Sequence, residues 1–553
     1  MTDLHHLTAM EQRGLLETGE IRPVELAEHY LKRIEQLNPV LHAFTTVTAE
    51  AALARAEALE DGCGVSESGR ATARGSDYPS ARESRPSDGR SRSGGHASPS
   101  SRAQSRSSGG ESQQLHRESR PSRQDAPLWG LPFADKDLTD RAGVPTSYGS
   151  RAFVNNVAQT SSPLVKDMDA AGGVSLGKTN VPEFGFPAYA ENRLPGGHAR
   201  NPWDTERDPG GSSSGAAVAV AARMLPFAPG SDGGGSVRIP AAACGLVGLK
   251  PSRGRVPGAS GIDSLGGLAV GGPLARTVAD AALLLDGMCR GTDRFALRAP
   301  SPNLPPTGSF VDALFGPGAS RTTPAQPLNP TPPQPLRIGW NTWSPWASQY
   351  DITVGPEAEE TLAATIRLAE KLGHRVERVE PTPFPEYVDA FRAIWMGGAS
   401  GLPLPDEILD LLEPLTSWLI RTGRTRPAGD LPRALAALSR FESQIIADYA
   451  PYDLVLTPVL TTPALSIGSF DPADGNLNFI QQCQFTPFTS YLNVAGLPAI
   501  SMPVGEARLP GESLSLPMGV QAIGRPGDEV TLLRFAAQLE AELCWQERVP
   551  PVA

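Results

Sequence analysis

The sequence lacks the features of a membrane protein and of a disulfide-bonded secreted protein. No apolar run reaches the roughly 18 residues that a membrane-spanning helix needs. The 553 residues include only five cysteines, widely spaced and without a CxxC pair, which argues against a disulfide framework and against a zinc site. The first residues show no basic stretch followed by an apolar core, so no secretory signal is expected. These absences predict a cytoplasmic location.

Lysine is scarce as well, since only six of the 49 basic residues are lysines. Arginine keeps its proton in proteins, whereas a buried lysine can lose it, so each lysine is a candidate for a role that arginine cannot fill. The six are Lys32, Lys136, Lys166, Lys178, Lys250 and Lys371. The net charge of −11 argues against a general binder of nucleic acid or of anionic membranes.

Two segments of unusual composition interrupt the chain. Residues 62–126 are rich in serine, arginine and glycine and nearly free of aliphatic side chains, which predicts a disordered insertion, because such text cannot bury enough apolar surface to offset its ordering entropy. Residues 299–336 are proline-rich and predict a surface linker. Between them, residues 127–290 alternate short apolar runs with glycine-rich turns, the pattern of an α/β domain. Further on, EAEETLAATIRLAEKLG predicts an amphipathic helix and HRVERVEP an edge strand.

The densest signal for a reaction centre lies within residues 209–257. Two loops of small residues, GGSSSG at 210–215 and GSDGGGS at 230–236, adjoin strongly apolar text, which argues against flexible linkers. Glycines allow backbone N–H groups to approach a ligand closely. A run of glycines before Ser236 can therefore form an oxyanion hole beside a nucleophile.

This block resembles the signature of the amidase signature family. The family motifs GGSSGG, GTDxGGSIRxP and GLKPTxGRxP stand here, in order, as GGSSSG, GSDGGGSVRIP and GLKPSRGRVP. Upstream, GLPFADKDLTDRAGVPTSYGS is similar to the family's lysine segment. The resemblance extends over most of residues 4–61 and 127–545. It implies one amidase domain over residues 1–553, of class α/β, with α/β/α layers around a large mixed β-sheet.

The resemblance implies an amidase that hydrolyses a carboxamide to a carboxylic acid and ammonia or an amine through an acyl-enzyme. Ser236 corresponds to the nucleophile, Ser212 to the bridging serine and Lys136 to the general base. In the family the bridging serine follows a cis peptide bond, which predicts one at Gly211–Ser212. Because Lys136 must be neutral to accept a proton, it should lie in a dry pocket that lowers its pKa.

The same resemblance supplies the remaining site residues. Oxyanion donors are expected from the backbone N–H groups of Gly233, Gly234, Gly235 and Ser236. Asp232 and Arg238 are expected to support this loop as an internal ion pair. No cofactor and no metal are implied. The expected partner is a small-molecule amide substrate, without nucleic acid or membrane, and a homodimer is left open.

By family analogy the acyl pocket draws on the stretch after Lys178, on Trp395 and its neighbours, and on residues 484–493. These segments contain Phe184, Phe186, Phe485 and Phe488, which indicates an apolar or aryl acyl group. Packing in the core explains the same phenylalanines equally well.

Other reaction classes fit the residues less well. Residues 172–179 match the phosphate-loop pattern GxxxxGK[ST], but the following NVPEFGFP cannot continue a helix, so we interpret GVSLGKTN as a buried strand. None of the eight histidines lies in the Gly/Ser block, which argues against a histidine-based serine triad. Cys244 lies in apolar text typical of inert packing.

The main alternative is the glutamine-hydrolysing subunit of a tRNA-dependent amidotransferase, which shares this fold and relay. Its serine loop typically continues with glutamine after the arginine. Here Ile239 follows Arg238, which favours a free-standing amidase. A catalytically dead relative is disfavoured because Lys136, Ser212 and Ser236 are all retained.

Overall fold

The computed structural model describes residues 3–61, 123, 126–258, 266–289, 303–305, 307–316, 334–509, 511 and 514–553. The predicted disordered insertion at 62–126 lies outside the described residues, apart from residues 123 and 126. The prediction of disorder there stays a prediction.

Strands form two separate sheets. A three-stranded sheet has the order β1 (Phe44–Val47), β3 (Val174–Thr179), β2 (Pro132–Lys136), with β1 antiparallel and β2 parallel to β3. The other strands are β4 (Phe227–Asp232), β5 (Val247–Lys250), β6 (Val270–Ala275), β7 (Arg337–Trp340), β8 (Arg375–Arg378), β9 (Leu454–Pro458), β10 (Ala499–Arg508) and β11 (Ser515–Gly524). They form an eight-stranded sheet in the order β4-β6-β5-β10-β11-β9-β7-β8. This sheet is mixed, because β7 runs parallel to both β8 and β9 while the other pairs are antiparallel.

Fifteen α-helices in the described part of the chain surround the sheets. They are α1 (Ala9–Thr18), α2 (Pro23–Leu41), α3 (Ala49–Asp61), α4 (Pro163–Ala170), α5 (Ser214–Ala221), α6 (Arg238–Cys244), α7 (Val278–Met288), α8 (Phe310–Phe315), α9 (Pro356–Lys371), α10 (Tyr387–Ser400), α11 (Pro414–Thr425), α12 (Asp430–Tyr449), α13 (Gly475–Phe485), α14 (Ser490–Val494) and α15 (Glu529–Leu543). The predicted class, α/β with a large mixed sheet, is confirmed. The second, smaller sheet was not predicted.

Local sequence explains several of these elements. Every residue of α5 is buried, as expected for a helix that is apolar around nearly its whole circumference, and α6 is equally buried although it begins with the charged Arg238. The predicted amphipathic helix is α9, and the predicted edge strand is β8, at the end of the eight-stranded sheet. The predicted buried strand GVSLGKTN is β3, and the Lys178 ammonium donates to the Thr139 carbonyl and, at 2.9 Å, to Thr146 Oγ1.

Part of the predicted surface linker is a packed helix instead. Within residues 299–336, α8 buries Phe310, Val311 and Leu314 against α7 and α15. Ser309 caps α8 by accepting a hydrogen bond from the Asp312 N–H. The linker prediction is therefore wrong at residues 310–315, because the short apolar run FVDALF has a helical face that the surrounding prolines obscure in the sequence.

Within the described ranges, no helix combines the length and the apolar character needed to cross a membrane.

The two sheets meet beside the two Gly/Ser loops of the signature block. Strand β2, which ends at Lys136, packs against β4, which ends at Asp232. The loop at 210–213 leads directly into α5, and the loop at 233–237 leads into α6. The two Gly/Ser loops and the end of β2 therefore lie together.

Candidate active site

Lys136 is buried at the end of a strand whose five residues are all buried. Its side chain is 2% exposed. The Nζ atom donates to Ser212 Oγ at 2.9 Å, to Ser231 Oγ at 3.0 Å and to the Ser231 carbonyl at 3.1 Å. These three oxygen acceptors match the three donors of a lysine ammonium, and they hold the amine in one position.

The burial of Lys136 changes its protonation. Desolvation lowers the pKa of Lys136 to about 7, although the negative charge of Asp232 acts in the opposite direction. A large fraction of the side chain is then neutral near neutral pH. A neutral amine in contact with a serine hydroxyl can accept a proton from it.

The loop that carries Ser212 requires glycine at position 211. The Gly211–Ser212 peptide bond is cis, as predicted. A Cβ atom on Gly211 would come within 2.3 Å of the Tyr189 carbonyl oxygen, so a side chain at this position is excluded. The Gly211 N–H donates to the Ala188 carbonyl at 2.8 Å. The backbone around Ser212 is therefore in direct contact with the segment at 188–190.

Ser236 follows the second loop and lines a cavity. It is buried, with 8% of its surface exposed. Its carbonyl accepts a hydrogen bond from the Ser213 N–H at 3.1 Å, which joins the two Gly/Ser loops. The contact between Lys136 and Ser212 and this backbone contact bring the three predicted catalytic residues into one region.

The expected ion pair between Asp232 and Arg238 is present and fully buried. Both side chains are 0% exposed, and Arg238 donates to the two carboxylate oxygens of Asp232 at 3.0 Å each. Arg238 also donates to Asn493 Oδ1 at 2.8 Å and to Gln521 Oε1 at 3.0 Å, while Asn493 Nδ2 donates to Asp232 Oδ1 at 2.9 Å. Burial alone would raise the pKa of Asp232, but the Arg238 charge and these hydrogen bonds outweigh it and lower the pKa to about 2. Asp232 therefore stays ionised near neutral pH, and the Arg238 guanidinium balances its charge.

The expected oxyanion glycines differ in what their backbone does. Gly235 has φ +134°, and a Cβ there would come within 2.4 Å of Thr489 Oγ1. Its N–H donates to Asp232 Oδ1 at 2.7 Å. The Thr489 hydroxyl donates to the Gly234 carbonyl at 2.6 Å, and Gly234 borders the cavity. Because the Gly235 N–H is already bonded to a carboxylate, Gly235 shapes the turn and departs from the expected role of oxyanion donor.

The cavity beside Ser236 has a volume of about 460 Å³, part of it open to solvent, and its largely apolar lining includes five aromatic side chains. Each of the three predicted pocket segments contributes to it: Phe186 from the stretch after Lys178, Trp395, and Thr486 and Ser490 from residues 484–493. Among the described residues the full lining is Phe186, Pro187, Ala188, Gly234, Ser236, Ile239, Trp346, Phe391, Trp395, Phe479, Gln482, Cys483, Thr486 and Ser490, without an ionic side chain. Such a lining favours an uncharged, apolar ligand.

Of the other predicted phenylalanines, Phe485 and Phe488 are buried in the core and Phe184 is half-buried against it. Phe485 packs beside Phe470, Phe488 is 0% exposed, and Phe184 packs on Tyr148 and Phe153. The sequence interpretation missed the cavity residues Trp346, Phe391 and Phe479, which lie far from the signature block and carry no local signal of their position.

Three further polar residues carry roles that the sequence interpretation did not assign. Ser231 binds the Lys136 amine and precedes Asp232 in the GSD motif, where its position was a usable signal. The sequence analysis named Asn493 only as the last residue of the pocket segment at 484–493. Gln521 lies on β11, 283 residues from its partner Arg238, and no local pattern marks it.

One group of side chains in the described part of the chain could hold a metal ion. Ligand atoms of Asp3, His5 and His6 lie within 4.8 Å of one another, on the first turn of the chain. Burial and then the charge of Arg33 lower the pKa of His5 to about 4. The same positive charge opposes the binding of a cation, and we assign this group no role.

Comparison with known proteins agrees with the geometry. The family model described as Amidase matches residues 110–533. A putative amidase of Synechocystis is 33% identical over 551 residues, which cover 98% of this chain and 90% of that protein. A glutamyl-tRNA(Gln) amidotransferase subunit from Nitrosococcus oceani is 30% identical over 99% of both chains. The structure of 6-aminohexanoate cyclic dimer hydrolase complexed with substrate aligns with a TM-score of 0.77 at 25% identity, covering 99% of each chain. The chain belongs to the amidase signature family of hydrolases, which act on amide bonds.

Proposed function

We propose that this protein hydrolyses a linear carboxamide through a relay of Ser236, Ser212 and Lys136. The observation that carries the proposal is the buried Lys136 amine, held 2.9 Å from Ser212 Oγ with its pKa lowered to about 7. A base with this pKa is half neutral near neutral pH, which is the range in which general-base catalysis is most efficient.

The relay accounts for each proton and bond of the reaction. Ser236 Oγ attacks the amide carbon while its proton passes to Ser212, and the Ser212 proton passes to Lys136. The C–N bond then breaks, and the departing nitrogen takes the proton back along the same path. Water attacks the resulting ester on Ser236, with the relay again accepting and returning a proton, to release the carboxylic acid.

The oxyanion of the tetrahedral intermediate requires backbone donors beside Ser236. We assign this role to the N–H groups of Gly233, Gly234 and Ser236. Gly235 is left out because its N–H already donates to Asp232 at 2.7 Å. Asp232 and Arg238 act as supports that keep the turn in this shape.

The cavity lining favours a neutral amide with an apolar or aryl acyl group. Free glutamine carries an α-ammonium and an α-carboxylate, and a site that binds it must offer counter-charges or many hydrogen bonds. The cavity presents aromatic rings and few polar atoms. This supports a free-standing amidase over the glutamine-hydrolysing subunit, which is the alternative because one such subunit is similar over the whole chain. The cytoplasmic location and the absence of nucleic-acid and membrane partners stay predictions.

A panel of neutral amides tests the proposal. Purified protein is incubated with acetamide, benzamide, a phenylacetamide and glutamine, and ammonia release is measured. Turnover of a neutral amide is expected, and Ser236→Ala should abolish it. The exposed Ser469→Ala variant serves as the control and should keep the rate of the unmodified protein. Turnover of glutamine alone would favour the alternative, and full activity in Ser236→Ala would contradict the relay.

A further inference from the structure

The segment at 188–190 connects helix α13 with the loop that carries Ser212. The Ala188 N–H donates to Gln482 Oε1 at 2.7 Å. On its other side, the Ala188 carbonyl accepts the Gly211 N–H at 2.8 Å. A single residue, Ala188, therefore links the Gln482 side chain to the peptide bond that precedes Ser212.

A second pair of hydrogen bonds joins the same two segments. The Asp208 carboxylate is buried and accepts the Ala190 N–H at 2.8 Å and the Gly210 N–H at 2.7 Å. Segment 188–190 is thus bonded to the loop before Ser212 at both of its ends. Since a Cβ on Gly211 would lie only 2.3 Å from the Tyr189 carbonyl oxygen, the two backbones are in contact. Any displacement of the segment must displace the loop.

The Gln482 carboxamide is itself fixed in one orientation. Its Nε2 donates to Asn478 Oδ1 at 2.5 Å, and Asn478 Nδ2 donates in turn to the Tyr189 hydroxyl at 3.0 Å and to the Asp471 carbonyl at 2.8 Å. A flipped amide would face the Ala188 N–H with a second donor and would lose both bonds. Gln482 is 7% exposed and forms part of the cavity wall.

We propose that Gln482 is a positioning residue for the bridging serine: its side-chain carbonyl holds Ala188, and Ala188 holds the Gly211–Ser212 peptide where Ser212 meets the Lys136 amine. The inference rests on the proposed relay. It makes the cavity wall on α13 and the bridging serine parts of one hydrogen-bonded unit. Misplacement of a catalytic group by about 1 Å can cost about 100-fold in rate, so this unit matters although Gln482 takes no part in proton transfer.

The experiment compares Gln482 with its neighbour Gln481 in the full-length protein. Gln481 lies on the same helix, and its Oε1 also accepts a backbone N–H, from Asp471 at 2.7 Å, so Gln481→Met is a matched control. Methionine keeps the length of the side chain and removes the strong acceptor. The substrate is the smallest amide that the protein hydrolyses. Contacts between a larger acyl group and the Gln482 side of the cavity then do not affect the measured rate. Active sites are counted by labelling with a fluorophosphonate.

Gln482→Met is expected to lower kcat per labelled site by about 10- to 100-fold with KM within about twofold. Gln482→Glu retains an oxygen for the Ala188 N–H but loses the donor to Asn478 Oδ1, so it should recover part of that loss. Gln481→Met should match the unmodified protein. A merely structural role would reduce the number of labelled sites and the melting temperature, and would leave kcat per site unchanged.

Two results would overturn the inference: an unchanged kcat per site in Gln482→Met, or an equal loss in Gln481→Met. If Gln482→Met does not fold, Gln482→Asn replaces it, because this variant keeps the amide and shortens its reach by one methylene; the same loss of kcat is expected, and an unchanged kcat overturns the inference. Failure of the relay is recognised separately, since Ser236→Ala would then remain active whatever the Gln482 variants do.

Discussion

The loop at 232–236 separates two environments that differ in nearly every physical respect. On one side, Asp232 and Arg238 form a fully buried ion pair that is also hydrogen-bonded to the side chains of Asn493 and Gln521 and to the backbone N–H groups of Gly235 and Val237. On the other side, the cavity beside Ser236 is walled by aromatic rings. The first environment holds the loop by buried hydrogen bonds, and the second borders the proposed nucleophile.

The difference extends to the lysines. Lys136 and Lys250 are both buried, and desolvation lowers the pKa of each to about 7. Only Lys136 contacts a serine hydroxyl of the Gly/Ser loops, whereas Lys250 Nζ donates to the Pro251 carbonyl at 3.0 Å. A lowered pKa is therefore not sufficient to identify a base; the contact decides.

The largest effect is expected from exchanging the two lysines separately for methionine. Lys136→Met removes the proposed base and should lower kcat by about 10²- to 10⁴-fold. Lys250→Met removes an equally buried amine and should leave kcat per folded molecule within about threefold. Initial rates on a neutral amide, normalised to folded protein, measure both. Equal losses in the two variants would show that burial of a lysine, rather than its contact with Ser212, accounts for the effect.

Breaking the buried ion pair should be the largest change in stability. Arg238→Met leaves Asp232 charged, buried and unpaired, which is expected to cost about 3–5 kcal/mol in the free energy of unfolding. Urea unfolding measures it. The control is Arg367→Met, which breaks the exposed pair with Glu360 and should leave the midpoint almost unchanged. If Arg238→Met unfolds at the same urea concentration as the unmodified protein, the Asp232–Arg238 ion pair does not contribute to stability.

The pH dependence of kcat/KM tests the protonation of the base. As the proposed base, Lys136 must be neutral to act, and its pKa is about 7, so kcat/KM should rise with pH through a midpoint near 7 and fall tenfold per pH unit below it. Asp232 favours the charged form of Lys136, so Asp232→Asn should move the midpoint to lower pH. A midpoint that Asp232→Asn leaves in place would exclude Lys136 as the titrating group.

The smallest effect is expected on selectivity. Trp395→Ala removes a ring from the cavity wall and should lower the ratio of kcat/KM for an aryl amide to that for acetamide by about tenfold. The control is Trp340→Phe. Trp340 lies on β7, outside the cavity lining, where its ring packs under the Arg378 guanidinium, so this change should keep the ratio. An unchanged ratio in Trp395→Ala would assign the acyl group to another part of the cavity.

Local patterns predicted much of the fold and the centre of the site. The helical periodicity of α9 and the apolar text of α5 depend on residues close in sequence, and so each could be interpreted without a structure. Ser212, Ser236 and Lys136 were assigned because they stand in long motifs that resemble those of the amidase signature family. By contrast, α8 was hidden among prolines, and the separate sheet of β1, β2 and β3 depends on pairing between distant strands.

The sequence alone determined which reactive groups the chain carries: two glycine-rich loops, two serines and a rare lysine, each in a continuous motif. Only the tertiary structure decided that Lys136 is dry, that Asn493 and Gln521 complete the ion pair, and that Trp346, Phe391 and Phe479 surround one cavity. The reason is physical, because desolvation and buried hydrogen bonds arise when segments that are hundreds of residues apart exclude water together.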